Sequence, residues 1–110
     1  MTAHEASDLV KQGKAVLIDV REEDELQSSG TAQGALWMPL SAMVEDTDQW
    51  RAFKQSLPRD KQLILFCKLG GRSGRMAEFL SLEGFQTFNL GGFSAWTSAG
   101  LPVEPFPKKA

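Results

Sequence analysis

Apolar residues along this chain fall into short continuous runs separated by stretches with helical spacing. Residues 15–18 form a continuous apolar run that is long enough for a strand buried on both faces, and residues 62–66, Gln-Leu-Ile-Leu-Phe, give the clearest strand signal. Weaker extended signals cover residues 36–38 and 87–90. The pattern therefore predicts four strands.

Helix signals occupy the segments between these strands. Thr2 and Glu5 form a capping-box pattern ahead of apolar positions that share one helical face, and Gly13 follows as a natural stop. The remaining predicted helices begin near Glu22, Asp48, Ser73 and Ala95, with Asp48 and Ser73 as the N-cap residues.

The alternation of strands and helices predicts an α/β fold. Helical crossovers between strands imply a small, mostly parallel sheet that is covered by helices on both faces. Ligands of such sheets bind beyond the carboxyl ends of the strands. Cys67 directly follows the clearest strand and precedes a predicted helix, so it lies at that location.

Composition narrows the function classes. The chain has 110 residues, which fits one domain, and its 12 basic and 14 acidic side chains give a net charge of −2. This balance gives no basic footprint for nucleic acid, and no apolar run approaches the roughly 20 residues of a membrane span. The first ten residues lack the pattern of a secretory signal, so we expect a cytoplasmic protein.

Prolines mark the end of the predicted domain. Residues 102–110 hold three of the five prolines and end in two lysines before the last alanine. We therefore expect a domain over residues 1–101, followed by a Pro-rich extended tail over residues 102–110 that frays.

The chain contains one cysteine, Cys67. A disulfide within the chain is therefore excluded. One cysteine and one histidine also cannot supply the four ligands of a Cys-rich zinc site, so we expect no metal. Any thiol chemistry must use Cys67, and the single histidine, His4, is expected on the surface of the first helix.

The loop after Cys67 favours a thiolate. The following helix directs its free N–H groups and its positive dipole end toward the loop. Gly70 and Gly71 permit a positive φ, so that successive amides can turn inward and bind an anion. Basic side chains at Lys68, Arg72 and Arg75 add positive charge nearby, and all three effects favour ionisation of the thiol.

Two other interpretations of this loop were weighed. A lone cysteine at the end of a strand is usually a small buried hydrophobic residue. The Gly-Gly-Arg-Ser context at residues 70–73 favours a reactive cysteine instead. A nucleotide-binding loop is disfavoured, because the P-loop ending and the G-x-G-x-x-G pattern are both absent.

Residues 67–73, Cys-Lys-Leu-Gly-Gly-Arg-Ser, match the active-site loop of the rhodanese family of sulfurtransferases, which is written C-x-x-G-x-R-S. Residues 17–22 resemble the early strand of the family and its D-V-R-E corner. Residues 30–40 resemble its G-H-I-x-G-A…I-P segment, and residues 84–102 resemble its closing pattern. The resemblance thus covers nearly the whole chain.

This resemblance implies a three-layer α/β/α domain around a parallel sheet of four to five strands. It implies that Cys67 takes the outer sulfur of a small anionic donor, thiosulfate or a polysulfide. The resulting persulfide passes its sulfur to cyanide or to a thiol, including a protein thiol. The amides of residues 68–73 would hold the charged sulfur, and neither a metal nor an organic cofactor is needed. We also expect a monomer that binds neither nucleic acid nor membrane.

The chain departs from the family pattern at two places. Thr31 stands where the family has His, and Ala32 replaces the next apolar residue, which concerns local packing rather than the reaction. The usual first strand precedes the first helix, but here only Met1 precedes Thr2. The sheet is therefore expected to lack that strand or to keep only a stub of it.

Three competing functions were considered. Cysteine phosphatases and arsenate reductases of related fold place Arg six positions after Cys, whereas here position 73 is Ser and Arg72 comes one step earlier. A non-catalytic binding module is the second alternative, although such modules commonly lose the cysteine. The third is a carrier that delivers persulfide sulfur to one partner protein, which the sequence does not distinguish from a free enzyme.

Individual residues have narrower predicted roles. Cys67 is the predicted nucleophile, and the substrate-binding set comprises Lys68, Leu69, Gly70, Gly71, Arg72 and Ser73. The Arg72 side chain is expected to bind the anionic donor or to brace the loop. Lys68 either senses the charge of the donor or is a plain exposed lysine. Arg75 is expected to face solvent.

Other charged and aromatic residues are expected to be structural. Asp19 and Arg21 follow a buried strand and are either an ion pair that braces the active loop or ordinary strand-end charges. The acidic run at 22–25 is expected to be a solvated helix start. Trp37, Trp50 and Trp96 are expected to fill or cover the core.

Overall fold

A computed structural model describes residues 1–106 of the chain. Helices and strands alternate along these residues as the sequence predicts. The helices are α1 (Ala3–Lys11), α2 (Glu23–Ser29), α3 (Leu40–Glu45), α4 (Asp48–Ser56), α5 (Gly71–Leu82) and α6 (Phe93–Ser98). The strands are β1 (Ala15–Asp19), β2 (Thr31–Ala32), β3 (Leu36–Trp37), β4 (Gln62–Cys67), β5 (Gln86–Gly92) and β6 (Val103–Glu104).

The main sheet has four strands in the order β3-β1-β4-β5, and every neighbouring pair is parallel. The register places Asp19 of β1 beside Phe66 of β4. The carboxyl ends of the two central strands therefore meet at one edge of the sheet. The predicted α/β class and mostly parallel sheet are confirmed.

Alternate residues of the central strands serve two separate cores. In β4, Leu63 and Leu65 join a core with side chains of α3, α4 and α5 on one face of the sheet. Ile64 and Phe66 join a second core with α1 and α6 on the other face. Both faces of these strands are thus buried, which explains why their sequences are continuously apolar.

The first helix begins as the sequence predicts, with a capping box in which the Thr2 hydroxyl accepts from the Glu5 amide and the Glu5 carboxylate accepts from the Thr2 amide. The prediction for α4 was one residue off. Thr47, not Asp48, is its N-cap and accepts from the Trp50 amide. Asp48 is instead the first helical residue, where its charge still suits the positive end of the helix dipole.

The segment predicted as a tail from residue 102 packs against the domain as far as residue 106. Strand β6 pairs antiparallel with β2, so that Thr31 lies opposite Glu104. The Trp96 indole donates to the carbonyl of Pro102 at 2.7 Å. The ring of Phe106 packs edge-on against Trp37 at 5.0 Å. Residues 107–110, and the fraying predicted there, lie outside the described residues.

Within residues 1–106, no strand precedes α1. The sheet has four strands, the lower of the two predicted numbers. None of the helices in this part of the chain has the length and apolar character needed to cross a membrane.

Gly30 lies where α2 meets β6, and it offers a test of this packing. An alanine Cβ at Gly30 would lie 2.5 Å from the carbonyl oxygen of Glu104, on a backbone with φ +73. Gly13 has nearly the same φ of +72, but a Cβ there would have no neighbour within 4 Å. We expect Gly13→Ala to lower the free energy of unfolding by about 1–2 kcal/mol, and Gly30→Ala by at least about 2 kcal/mol more.

Urea denaturation of the two variants measures this difference directly. Equal losses of free energy of unfolding in the two variants would show that β6 does not pack against Gly30.

Candidate active site

Cys67 is the last residue of β4 and lies at the carboxyl edge of the sheet. Its side chain belongs to the core on the α3–α4–α5 face, and the residue as a whole is only 1% exposed. A cleft of about 240 Å³ nevertheless opens over the residue, lined by Cys67, Lys68, Leu69, Gly71 and Arg72. Cys67 therefore packs against the core and also lines a cleft at the surface of the loop.

The loop turns inward at Gly70. This residue has φ +100 and ψ −11 and is the N-cap of α5. Its amide donates a hydrogen bond to Cys67 Sγ at 2.9 Å. The prediction of positive φ at Gly71 is wrong, because within residues 68–73 only Gly70 has it. Gly71 instead lies in open space at the rim of the cleft, where an added Cβ would have no neighbour within 4 Å.

Ser73 is not the N-cap of α5 but lies inside its first turn. The left-handed Gly70 lets the helix start at Gly71, three residues earlier than a Ser73 cap would require. The Ser73 side chain is fully buried, and its Oγ lies 3.3 Å from Cys67 Sγ. The serine therefore faces the sulfur from the helix rather than from the loop.

Burial and hydrogen bonding have opposite effects on the thiol. Burial is the largest single cause and raises the pKa of Cys67. Hydrogen bonds from the Ser73 hydroxyl, and from the amides of Ser73, Gly70 and Leu69, lower it. Together the hydrogen bonds prevail, so the pKa lies below that of an ordinary thiol. The sequence prediction of a favoured thiolate agrees with this direction. The lowering of the pKa comes from hydrogen bonds, however, and not from the basic side chains that the sequence suggested.

The guanidinium of Arg72 is engaged by a carboxylate. Its Nη1 and Nη2 donate to the two carboxylate oxygens of Glu25, at 2.5 and 2.9 Å. These bonds lower the pKa of Glu25 to about 2 and raise that of Arg72. Of the two options for Arg72, this geometry fits loop bracing, because the pair ties α2 to the start of α5.

The acidic run at residues 22–25 is only partly solvated, which corrects the prediction. Glu25 pairs with Arg72, and the Glu22 carboxylate accepts a hydrogen bond of 2.7 Å from the Ser41 hydroxyl of α3. Glu23 and Asp24 are exposed as expected. The helical spacing of three residues turns Glu22 and Glu25 toward the domain and leaves the two residues between them in solvent.

Asp19 and Arg21 form a buried ion pair of 2.8 Å, as one of the two options raised from the sequence proposed, whereas its bracing of the active loop stays a prediction. Thr31 donates its hydroxyl to Asp19 at 2.8 Å, so the residue that replaces the family's His completes this cluster. Arg21 also lies over the Phe93 ring, 4.4 Å from its centroid, and donates to the carbonyl of Gly30. The pair thereby joins β1, β2 and α6 beside the active loop rather than touching the sulfur.

A larger cleft of about 580 Å³ adjoins the loop, between α2 and α6. Lys68 and Leu69 of the loop line it, with Ser28 from α2 and Phe93 from α6. Leu69 is 88% exposed, which is unusual for a leucine that follows a buried strand. Arg75 is exposed as predicted and does not line either cleft.

Sequence reasoning missed three residues that shape the site. Glu25 holds Arg72, and Asn89 of β5 accepts from the Ser73 hydroxyl and donates to the Gly70 carbonyl. At Gly92, an added Cβ would collide with the Lys68 carbonyl oxygen. The only available signals were a polar residue within the predicted strand at 87–90 and the Gly-Gly pair that follows it.

Comparison with known proteins agrees with this architecture. Residues 2–99 match the Rhodanese-like domain family. The chain is 32% identical to thiosulfate sulfurtransferase GlpE of Actinobacillus succinogenes, over 94% of this chain and 88% of that protein. It is 33% identical to the chloroplastic thiosulfate sulfurtransferase 16 of Arabidopsis thaliana, over 90% of this chain and 87% of that one.

A solved structure supports the same conclusion. The rhodanese-related protein of Thermoplasma volcanium superposes with a TM-score of 0.74 at 30% identity, covering 94% of both chains. The family match spans nearly the whole domain, and its members include named sulfurtransferases. By sequence and by fold, the chain belongs to the rhodanese family of sulfurtransferases.

Proposed function

We propose that this protein takes sulfane sulfur from a small anionic donor, thiosulfate or a polysulfide, and carries it as a persulfide on Cys67. The observation that carries this proposal is the set of donors on the sulfur. The Gly70 amide and the Ser73 hydroxyl both lie within hydrogen-bond distance of Sγ, and Cys67 lines a cleft with residues of the same loop. Such donors stabilise a thiolate nucleophile without a separate catalytic base.

With thiosulfate as donor, the first step exchanges one sulfur–sulfur bond for another. The Cys67 thiolate attacks the outer sulfur of thiosulfate, and a new S–S bond forms to Sγ. The S–S bond of thiosulfate breaks, and sulfite leaves with the electron pair. The negative charge of the cysteine moves to the outer sulfur of the persulfide, so no proton, metal or organic cofactor is required.

The start of α5 fits the charged outer sulfur. The first amides of a helix have no partners within the helix, and its dipole is positive at that end. Gly71 and Arg72 provide such amides and both line the cleft over Cys67. Gly71 adds no side chain to this cleft, which keeps it open for the outer sulfur of a persulfide.

The second half of the reaction returns the cysteine to a thiolate. A thiolate or cyanide attacks the outer sulfur, and the persulfide S–S bond breaks with its electron pair on Cys67 Sγ. The cleft between α2 and α6 leads to the same loop and presents Lys68 and the exposed Leu69. We assign this cleft to the sulfur acceptor, which is cyanide or a thiol, including a thiol of a partner protein.

A phosphatase reaction has less support. Phosphatases of related fold need an Arg at the sixth position after Cys to bind the oxygens of a tetrahedral anion, and that position is Ser73. Arg72 does not replace it, because Glu25 already occupies both of its terminal nitrogens.

Intact-mass spectrometry tests the persulfide directly. Incubation with thiosulfate is expected to add one sulfur atom to the protein, and cyanide is expected to remove it. Cys67→Ser serves as the matched control, because it keeps a small polar side chain but lacks the nucleophile. A sulfur adduct on Cys67→Ser would refute the proposal. So would the absence of an adduct on the natural protein after incubation with thiosulfate and with a polysulfide.

The rate of sulfur uptake should depend on pH through Cys67 alone. Since the pKa of Cys67 is lowered, the rate is expected to fall as pH drops through this lowered pKa and to stay level above it. Single-turnover uptake measured against pH gives the midpoint. A midpoint equal to that of a free thiol, about 8.5, would contradict the role of the hydrogen bonds.

The ion pair between Arg72 and Glu25 separates the two roles predicted for Arg72. If the guanidinium braces the loop, Glu25→Gln and Arg72→Ala should each lower kcat about 10-fold, with little change in KM for thiosulfate. The double variant should be no worse than either single one. A large rise in KM confined to Arg72→Ala would instead show that Arg72 binds the donor.

A further inference from the structure

The Ser73 hydroxyl has one proton but three acceptors within reach. Its Oγ lies 2.7 Å from Asn89 Oδ1, 3.2 Å from the Gly70 carbonyl oxygen and 3.3 Å from Cys67 Sγ. A serine hydroxyl donates a single hydrogen bond at a time. Ser73 is also fully buried, so water does not share the proton. The three acceptors therefore compete for it.

The orientation of the Asn89 amide is fixed by two other contacts. Its Nδ2 donates to the Gly70 carbonyl at 2.9 Å, and its Oδ1 accepts from the Gly91 amide at 3.0 Å. A flipped amide would place two donors face to face at Gly91 and two acceptors face to face at Gly70. The oxygen must therefore point toward Ser73, where it is the nearest acceptor for the hydroxyl proton.

We propose that Asn89 is a positioning residue that competes with Cys67 for the Ser73 proton. The hydroxyl donates to Asn89 Oδ1 while the Cys67 sulfur is uncharged. It rotates to donate to Sγ when the sulfur becomes a thiolate. No covalent bond changes in this rotation, and the proton stays on Ser73 Oγ throughout.

Neither position of the hydroxyl leaves a polar group without a partner. When the proton points to the sulfur, Asn89 Oδ1 still accepts from the Gly91 amide. The Gly70 carbonyl accepts from the Gly74 amide at 3.0 Å and from Asn89 Nδ2 in both positions. When the sulfur is a neutral thiol, its S–H can donate to Ser73 Oγ. Two states of similar free energy are what a rotating donor requires.

The rotation matters for the reaction proposed above, and this part rests on that proposed function. In the persulfide, Sγ is bonded to a second sulfur and the charge has moved outward. The Ser73 proton is then released from Sγ and returns to Asn89. By accepting this proton, Asn89 stabilises the persulfide form of Cys67 relative to the free thiolate.

The charged groups around Cys67 are distinct from this pair. Lys68 lies on the same loop, and Arg72 at the start of α5 is paired with Glu25 of α2. Asp19, at the end of β1, is paired with Arg21. Substitution of Asn89 or Ser73 by an uncharged residue leaves all of these groups unchanged.

The test measures ionisation of Cys67 from the pH dependence of its alkylation by iodoacetamide, without any sulfur donor. Asn89 is exposed and Ser73 is buried, so Asn89→Leu is chosen to remove the competing acceptor while a side chain of the same branching keeps the Ser73 hydroxyl covered. It is expected to lower the pKa of Cys67 by about half a unit, because the Ser73 proton becomes free for the thiolate. Ser73→Ala is expected to raise it by about one unit.

The double variant distinguishes this mechanism from a structural role. If Asn89 acts through the Ser73 proton, Asn89→Leu should shift the pKa of Cys67 only when Ser73 is present. An equal shift in the Ser73→Ala background, or no shift in either, would overturn the proposal.

Asn89→Asp supplies a second, independent comparison, which stands even if the leucine variant fails to fold. Like leucine, aspartate lacks the donor to Gly70, but it retains a strong acceptor for the Ser73 proton. We expect it to raise the pKa of Cys67, and by less once Ser73 is replaced by alanine. A fall in the pKa, or an equal rise without Ser73, would contradict the proposal. Because no sulfur is transferred, this result is separate from the mass-spectrometric test of the proposed function.

Discussion

The chemistry proposed for this domain depends on a balance at one atom, the sulfur of Cys67. Packing against the core raises the cost of a charge on that sulfur, and hydrogen bonds from the loop and from Ser73 offset it. Because each donor is fixed by a neighbouring element, the balance is a property of the fold rather than of the cysteine. Gly70 supplies its amide only because its positive φ turns the chain inward.

Two ion pairs hold the elements around this sulfur, and they differ in burial. Asp19–Arg21 is almost wholly buried and is completed by Thr31, so removal of one partner would leave an uncompensated charge. Arg72–Glu25 is about a quarter to a third exposed, and its two parallel hydrogen bonds fix geometry more than they add stability. The first joins strands to α6, and the second joins α2 to the start of α5.

Much of the fold could be predicted because its two central strands, β1 and β4, are buried on both faces, which gives continuous apolar runs at 15–18 and 63–66. Contacts between residues that are far apart in the sequence leave no such pattern. Strands β2 and β6 pair although β3, β4 and β5 lie between them in the sequence. Glu25 is likewise 47 positions from Arg72. Asn89 looked like any polar strand residue. The sequence prediction placed the start of α5 too late, because Ser73 resembles an N-cap residue. In the structure the positive φ of Gly70 sets the start of the helix.

The glycines in and beside the active loop differ in how readily another residue could replace them. Gly70 is held by its backbone angle, and Gly92 is held by the carbonyl of Lys68 that passes directly against it. Gly71 has neither restriction, and it lines the cleft that contains Cys67. Variation at this one position would reshape the cleft while leaving in place the Gly70 amide that donates to the sulfur, which offers a route to altered donor selectivity in the proposed reaction.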